Sequence, residues 1–153
     1  MRWSKPLAIV VALGLLLSLP QVAAADNIGG AGDISNPPGG FRGDVATAAL
    51  LSRARNGIGL VQTYGDNQYE NGEYLNFLIA YERSWGTYKS ITRPAPGNHE
   101  YLVPGTGQTM TAEQVAQVPG GLGYYRYFAG RTPPHPGYYS YDYQGWHFVV
   151  LNT

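Results

Sequence analysis

The chain has 153 residues, a formal net charge of zero, no cysteine and only 13% charged residues. That length suits one domain or part of one, and the composition gives no sign of the clustered Lys and Arg that a nucleic-acid-binding face needs, so no nucleic acid is expected as a partner. Without disulfides, a form of this chain outside the cell must be held by packing, alone or together with a metal.

The N-terminus has the physics of a secretory signal. Arg2 and Lys5 form a basic start, residues 7–19 are an apolar run too short for a comfortable span, and Pro20 ends it. Ala23, Ala24 and Ala25 supply small residues for cleavage, so residues 1–25 are expected to be a signal peptide and 26–153 the mature, secreted or periplasmic part. Loss of Arg2 and Lys5 leaves 8 basic against 10 acidic residues, and no stable membrane span.

The mature part alternates strand and helix. A glycine-rich strand is expected over 28–32, followed by a loop at 36–40. Asp44 is a candidate N-cap for a helix over 45–55, closed by Asn56 and Gly57. A second strand is expected over 58–64, and a helix over 73–83 whose apolar residues suggest packing on two sides. A short third strand follows over 90–94, limited by Pro94 and Pro96. Beyond residue 100 we expect a loop at 103–107, a short helix over 111–118, and strands over 124–128, 138–143 and 146–151. Gln144 and Gly145 mark a hairpin between the last two. This order argues for an α/β layered sheet.

Three short segments follow the first three strands: Gly32-Asp33, Gly65-Asp66-Asn67-Gln68-Tyr69 and Gly97-Asn98-His99-Glu100. They recur every 32 or 33 residues, the size of a βαβ unit. In such sheets ligands gather at the carboxyl ends of the strands. Asp33 and Asp66 offer carboxylates, and Asp66 has two oxygens with which to bridge two cations. Tyr69 offers a phenolate to a strongly Lewis-acidic ion, Asn98 a neutral amide oxygen. His99 suits a proton donor or a clamp on a phosphoryl group, with Glu100 placed to orient it. His135 lies between prolines and reads as an exposed loop residue; His147, in a Trp-His-Phe strand, reads as structural.

Asp66-Asn67-Gln68-Tyr69 followed by Gly97-Asn98-His99-Glu100 resembles the calcineurin-like metallophosphoesterase superfamily. Tyr69, and Ser35 two places after Asp33, point to its purple acid phosphatase-like branch. Trp85-Gly86, the stretch from Arg93 to Pro96 and the stretch from Gly137 to Asn152 resemble secreted bacterial members. The resemblance implies a four-layer αββα sandwich and hydrolysis of phosphate monoesters by a hydroxide on a dinuclear metal centre. The metals would be Fe(III) with a divalent Fe, Zn or Mn ion. Asp33 and Tyr69 would bind the first metal, Asp66 would bridge, and Asn98 would bind the second. His99 and Glu100 would be the catalytic pair, and the partner a phosphate-ester substrate.

The family's later histidine motifs, of the forms Val-x-x-His and Gly-His-x-His, do not occur in this sequence. The expectation is therefore the N-terminal portion of a metallophosphoesterase domain, with its C-terminal half missing. Two other readings compete. One is an inactive metal- or phosphate-binding remnant. The other is an aromatic-rich extracellular binding protein, in which Tyr124, Tyr125, Tyr127, Tyr138, Tyr139, Tyr141, Tyr143 and Trp146 form a platform for sugars; ordinary hairpin packing is the alternative for that cluster.

Overall fold

A computed structural model describes residues 27–40, 42–53, 57–103, 105–117, 122–133 and 137–152. The expected signal peptide and His135 lie outside the described residues. The fold is α/β, as expected. Strands β1 (Asn27–Ala31), β2 (Ile58–Thr63) and β3 (Thr92–Arg93) form a parallel sheet in the order β1-β2-β3. β2 is the central strand; Leu60 and Val61 are buried, as a strand covered on its faces requires. The glycines that make β1 a poor strand by composition serve close approach. A Cβ on Gly30 would overlap the Gln62 carbonyl, and one on Gly29 would press on Leu51 of helix α1 (Gly43–Arg53) at 2.5 Å.

α1 begins one residue before Asp44, so Asp44 is in its first turn and is not the N-cap. Its buried carboxylate accepts hydrogen bonds from Arg42 Nε at 3.0 Å, Arg42 Nη2 at 3.2 Å and Ser35 Oγ at 3.4 Å. It thus ties the start of α1 to the loop after β1. Burial acts to raise the Asp44 carboxyl, but the bonds from Arg42 and Ser84 and the Arg42 charge outweigh it and hold it below 3.8. A depressed folded value means the stabilisation is present above the unfolded value and disappears as pH falls through the folded one. Asp44→Asn is therefore expected to lose about 1–3 kcal/mol at pH 7. In urea titrations the gap to wild type should close below pH 3.8; a gap independent of pH would contradict the ion pair.

Four further expectations need correction. The helix expected over 73–83 is only α2 (Tyr74–Ile79), followed by 3-10 turns at Tyr81–Arg83 and Trp85–Ile91. The chain turns where the Tyr81 amide donates to Gln68 Oε1 at 3.2 Å and Trp85 Nε1 donates to Thr47 Oγ1 at 3.0 Å. Nor is α2 packed on two sides: Phe77 is buried, whereas Leu75 and Leu78 are exposed. The same 3-10 turn takes up Ser90 and Ile91 and leaves β3 two residues. The strand expected over 124–128 is a helix, α4 (Gly123–Tyr127). Tyr124, Tyr127 and Phe128 sit on one helical face in the aromatic core, while Arg126 is exposed over the Tyr74 ring at 4.2 Å.

The short helix α3 (Ala112–Gln117) carries a reciprocal cap, Gln114 N to Thr111 Oγ1 at 3.3 Å and Thr111 N to Gln114 Oε1 at 2.8 Å. The expected hairpin forms from β4 (Tyr139–Tyr143) and β5 (Trp146–Val150), antiparallel, with Gln144 and Gly145 both at positive φ. It docks on the parallel sheet through tyrosine hydroxyls: Tyr141 donates to Gln62 Oε1 at 2.6 Å and Tyr139 to the Pro94 carbonyl at 2.8 Å. Among the described residues no helix is long and apolar enough to cross a membrane.

Candidate metal and phosphate site

Because β1, β2 and β3 are parallel neighbours, the loops leaving them share one edge. Beyond the strands the first two loops continue side by side: Ile34 N donates to the Asp66 carbonyl at 3.0 Å, Ser35 N to the Asn67 carbonyl at 3.2 Å, and Tyr69 N to the Ser35 carbonyl at 2.8 Å. Asp33 and Asp66 both take the left-handed conformation, with φ 51° and 48°. Aspartate tolerates this region better than most residues, and such positions concentrate at functional sites.

The two carboxylates meet at one atom. Tyr69 Oη lies in hydrogen-bonding contact with Asp33 Oδ1, and 3.1 Å from Asp66 Oδ2. Burial, the bond to Asp33 and the Asp66 charge push the Tyr69 phenol well above its ordinary value, so without a cation it keeps its proton. A cation entering here would take that proton's place between three oxygen donors. Such a hard-oxygen set suits a hard ion such as Fe(III). Accordingly, Asp33→Asn is expected to bring the Tyr69 phenol toward its ordinary value. The alkaline absorbance titration of the metal-free protein, taken as the difference from Tyr69→Phe, checks this. An unmoved titration would separate Asp33 from Tyr69.

His99 stands beside this set, its ring edge-on to Tyr69 with centroids 4.3 Å apart. Glu100 was expected to orient it, but the Glu70 carbonyl does so instead, accepting from Nδ1 at 2.5 Å. That contact fixes the proton on Nδ1 and leaves the Nε2 lone pair for chemistry. Glu100 is buried and turned inward. Its Oε2 accepts from the amides of Gly97 at 2.6 Å and Asp66 at 3.1 Å, its Oε1 from Asn67 at 2.7 Å and Gln68 at 3.2 Å. Burial pushes its carboxyl up to about 7 against the pull of the amides of Gly97, Gln68 and Asn67, and the Asp66 charge adds to the rise. Four donors on two oxygens match the ionised form, since a protonated oxygen would have to turn a donor toward other donors.

Asn98 opens the 3-10 turn Asn98–Tyr101 and is exposed, and no hydrogen bond joins its amide to the Asp33–Tyr69–Asp66 set. The oxygens that the structure brings together for one hard cation are therefore those of Asp33, Asp66 and Tyr69. Among the described residues no three His, Cys, Asp or Glu side chains are grouped to hold a metal. His147 is exposed on the hairpin, paired with Asp142 across it at 2.7 Å.

Sequence reasoning passed over Gln68. It is fully buried, donates from Nε2 to the carbonyls of Tyr69 at 2.8 Å and Ser35 at 3.3 Å, and accepts from the Tyr81 amide. It fastens the first two loops to the end of α2, and a glutamine inside a polar loop carries no sequence signal of that role.

No protein-family model matches the chain, and no curated protein or solved structure matches it.

Proposed function

We propose that this chain carries the ligand-binding edge of a secreted, metal-dependent phosphoesterase of the calcineurin-like, purple acid phosphatase-like type, part of a four-layer αββα sandwich. The observation that supports this most is the meeting of Asp33 and Asp66 on the Tyr69 hydroxyl, with the His99 ring alongside, at the carboxyl edge of a parallel sheet. Asp33, Asp66 and Tyr69 would hold the ferric ion, and Asp66 and Asn98 would face a divalent Fe, Zn or Mn ion. Bound there, the metals supply Lewis acidity toward water and the phosphoryl oxygens.

The chain's own residues account for the rest. With its Nδ1 proton held by the Glu70 carbonyl, the His99 ring keeps Nε2 as its second nitrogen for chemistry. Protonated, Nε2 would donate to a phosphoryl oxygen or to the leaving oxygen of a phosphate ester. Asp66 is held at both oxygens, by Tyr69 and by the His99 amide at 3.0 Å, so a metal would meet it already oriented.

The test is phosphate release from an aryl phosphate by the full chain, supplied with Fe(III) and Zn(II), against a chelator-treated control. Chelator-sensitive turnover is expected. Retained metal binding without turnover would favour the inactive binding remnant instead. The sugar-platform reading loses three of its members, because Tyr124, Tyr125 and Tyr127 are buried in or beside the aromatic core.

A further inference from the structure

Two carboxylates interlock across the loops after β2 and β3. Asp66 Oδ1 accepts the His99 backbone amide at 3.0 Å, and Glu100 Oε2 accepts the Asp66 backbone amide at 3.1 Å. Glu100 takes three further amides, from Gly97, Asn67 and Gln68, so a single buried carboxylate gathers the turn on either side of the site. A concavity of converging backbone N–H groups is a form in which proteins bind anions, and here the anion is the protein's own. The packing leaves no slack. A Cβ on Gly97 would overlap Asp66 Oδ1 and the Asp66 amide, and one on Gly72 would press on the Glu100 Cα at 2.8 Å.

We propose that Glu100 is the positioning residue of this site: it touches neither metal nor substrate, and by holding four backbone amides it fixes Asp66 and Tyr69 relative to His99. This role presupposes the metal site proposed above. It differs from support of the His99 ring, which the Glu70 carbonyl provides. Glu100→Gln keeps the shape but sets an NH2 group against two of the four amide donors. The turn must then open, and the Asp66 carboxylate moves with it.

The experiment loads the full-length protein with Fe(III) as its nitrilotriacetate chelate. It reads the visible phenolate-to-iron charge-transfer band and its titration, with Tyr69→Phe as the control that removes the band. Glu100→Gln is expected to weaken ferric binding by about 10–100-fold, the usual effect of losing a group that orients a ligand. The band should also shift or broaden. Phe77→Leu, in the aromatic core, loses stability without touching the interlock and should keep wild-type band and affinity. Glu100→Asp keeps the carboxylate but shortens its reach to the four amides, and it decides the matter if Glu100→Gln does not fold. Binding within about twofold of wild type in the Glu100 variants, with the band unchanged, would overturn the positioning role and leave the metal site standing. Equal weakening in Phe77→Leu would overturn it as well, by reducing the effect to stability. Absence of any Tyr69-dependent band in the wild type would remove the metal site, and the role with it.

Discussion

Replacing Asp66 with Asn is expected to lower metal-dependent phosphate release by about 10²–10³-fold, the range seen when one group that stabilises the transition state electrostatically is removed. Asp66 has a larger share in the site than any other side chain. One of its oxygens meets Tyr69 at 3.1 Å, the other takes the His99 amide at 3.0 Å, and Asp33 reaches it only through Tyr69. Asn can keep one of those contacts. Its NH2 group must then face either the His99 amide, donor against donor, or the phenol and whatever cation replaces its proton. The carboxylate charge that the proposed cations would share is lost in both orientations. Because Asp33 and Tyr69 act through the same cluster, the double variant Asp33→Asn, Asp66→Asn should be little worse than Asp66→Asn alone. Turnover per bound metal, with far-UV circular dichroism as the folding check, measures this. Undiminished turnover in Asp66→Asn would sink the assignment of the site.

The parts of the molecule legible in the sequence are those where a local rule and the tertiary environment agree. Val61 and its neighbours form a buried central strand because nothing local opposes it. Gln144-Gly145 closes a hairpin because both residues accept positive φ. The three Gly-Asp and Gly-Asn-His-Glu segments reach one edge because parallel neighbouring strands leave no other place for the loops that follow them. Illegible were the contacts in which a polar side chain serves a distant backbone. Glu100 follows His99 directly, which suggests that it supports that ring, yet its four partners are amides at residue 97 and at residues 66–68. Gln68 ends α2 early by bonding an amide 13 residues away. Neither bond has a periodicity, so no pattern announces it. The alternation of Tyr124, Tyr125 and Tyr127 around Arg126 misled in another way, since a short segment buried nearly all round fits a strand and a helix equally well.

Phe77→Ala should show what that ambiguity means in energy. Phe77 is fully buried and stacks on Tyr127 at 4.8 Å, with Tyr81 and Phe128 each at 5.7 Å between centroids. It is the buried residue of α2 that packs on α4, and removing it leaves a cavity between three other rings. Truncation of a buried phenylalanine costs about 3–5 kcal/mol, a large part of the roughly 5–15 kcal/mol that stabilises a whole domain. Leu78, the next residue, is 41% exposed, and Leu78→Ala should change stability by no more than about 0.5 kcal/mol, as at an ordinary surface position. Both residues are apolar and have the same standing in the helix expected over 73–83. Only the position of α4, itself a helix where a strand was expected, decides which of them faces the core. Chemical denaturation of the two variants measures the difference directly. Similar losses in both would mean that α2 packs on two sides after all, and that the exposed face carrying Leu75 and Leu78 is covered.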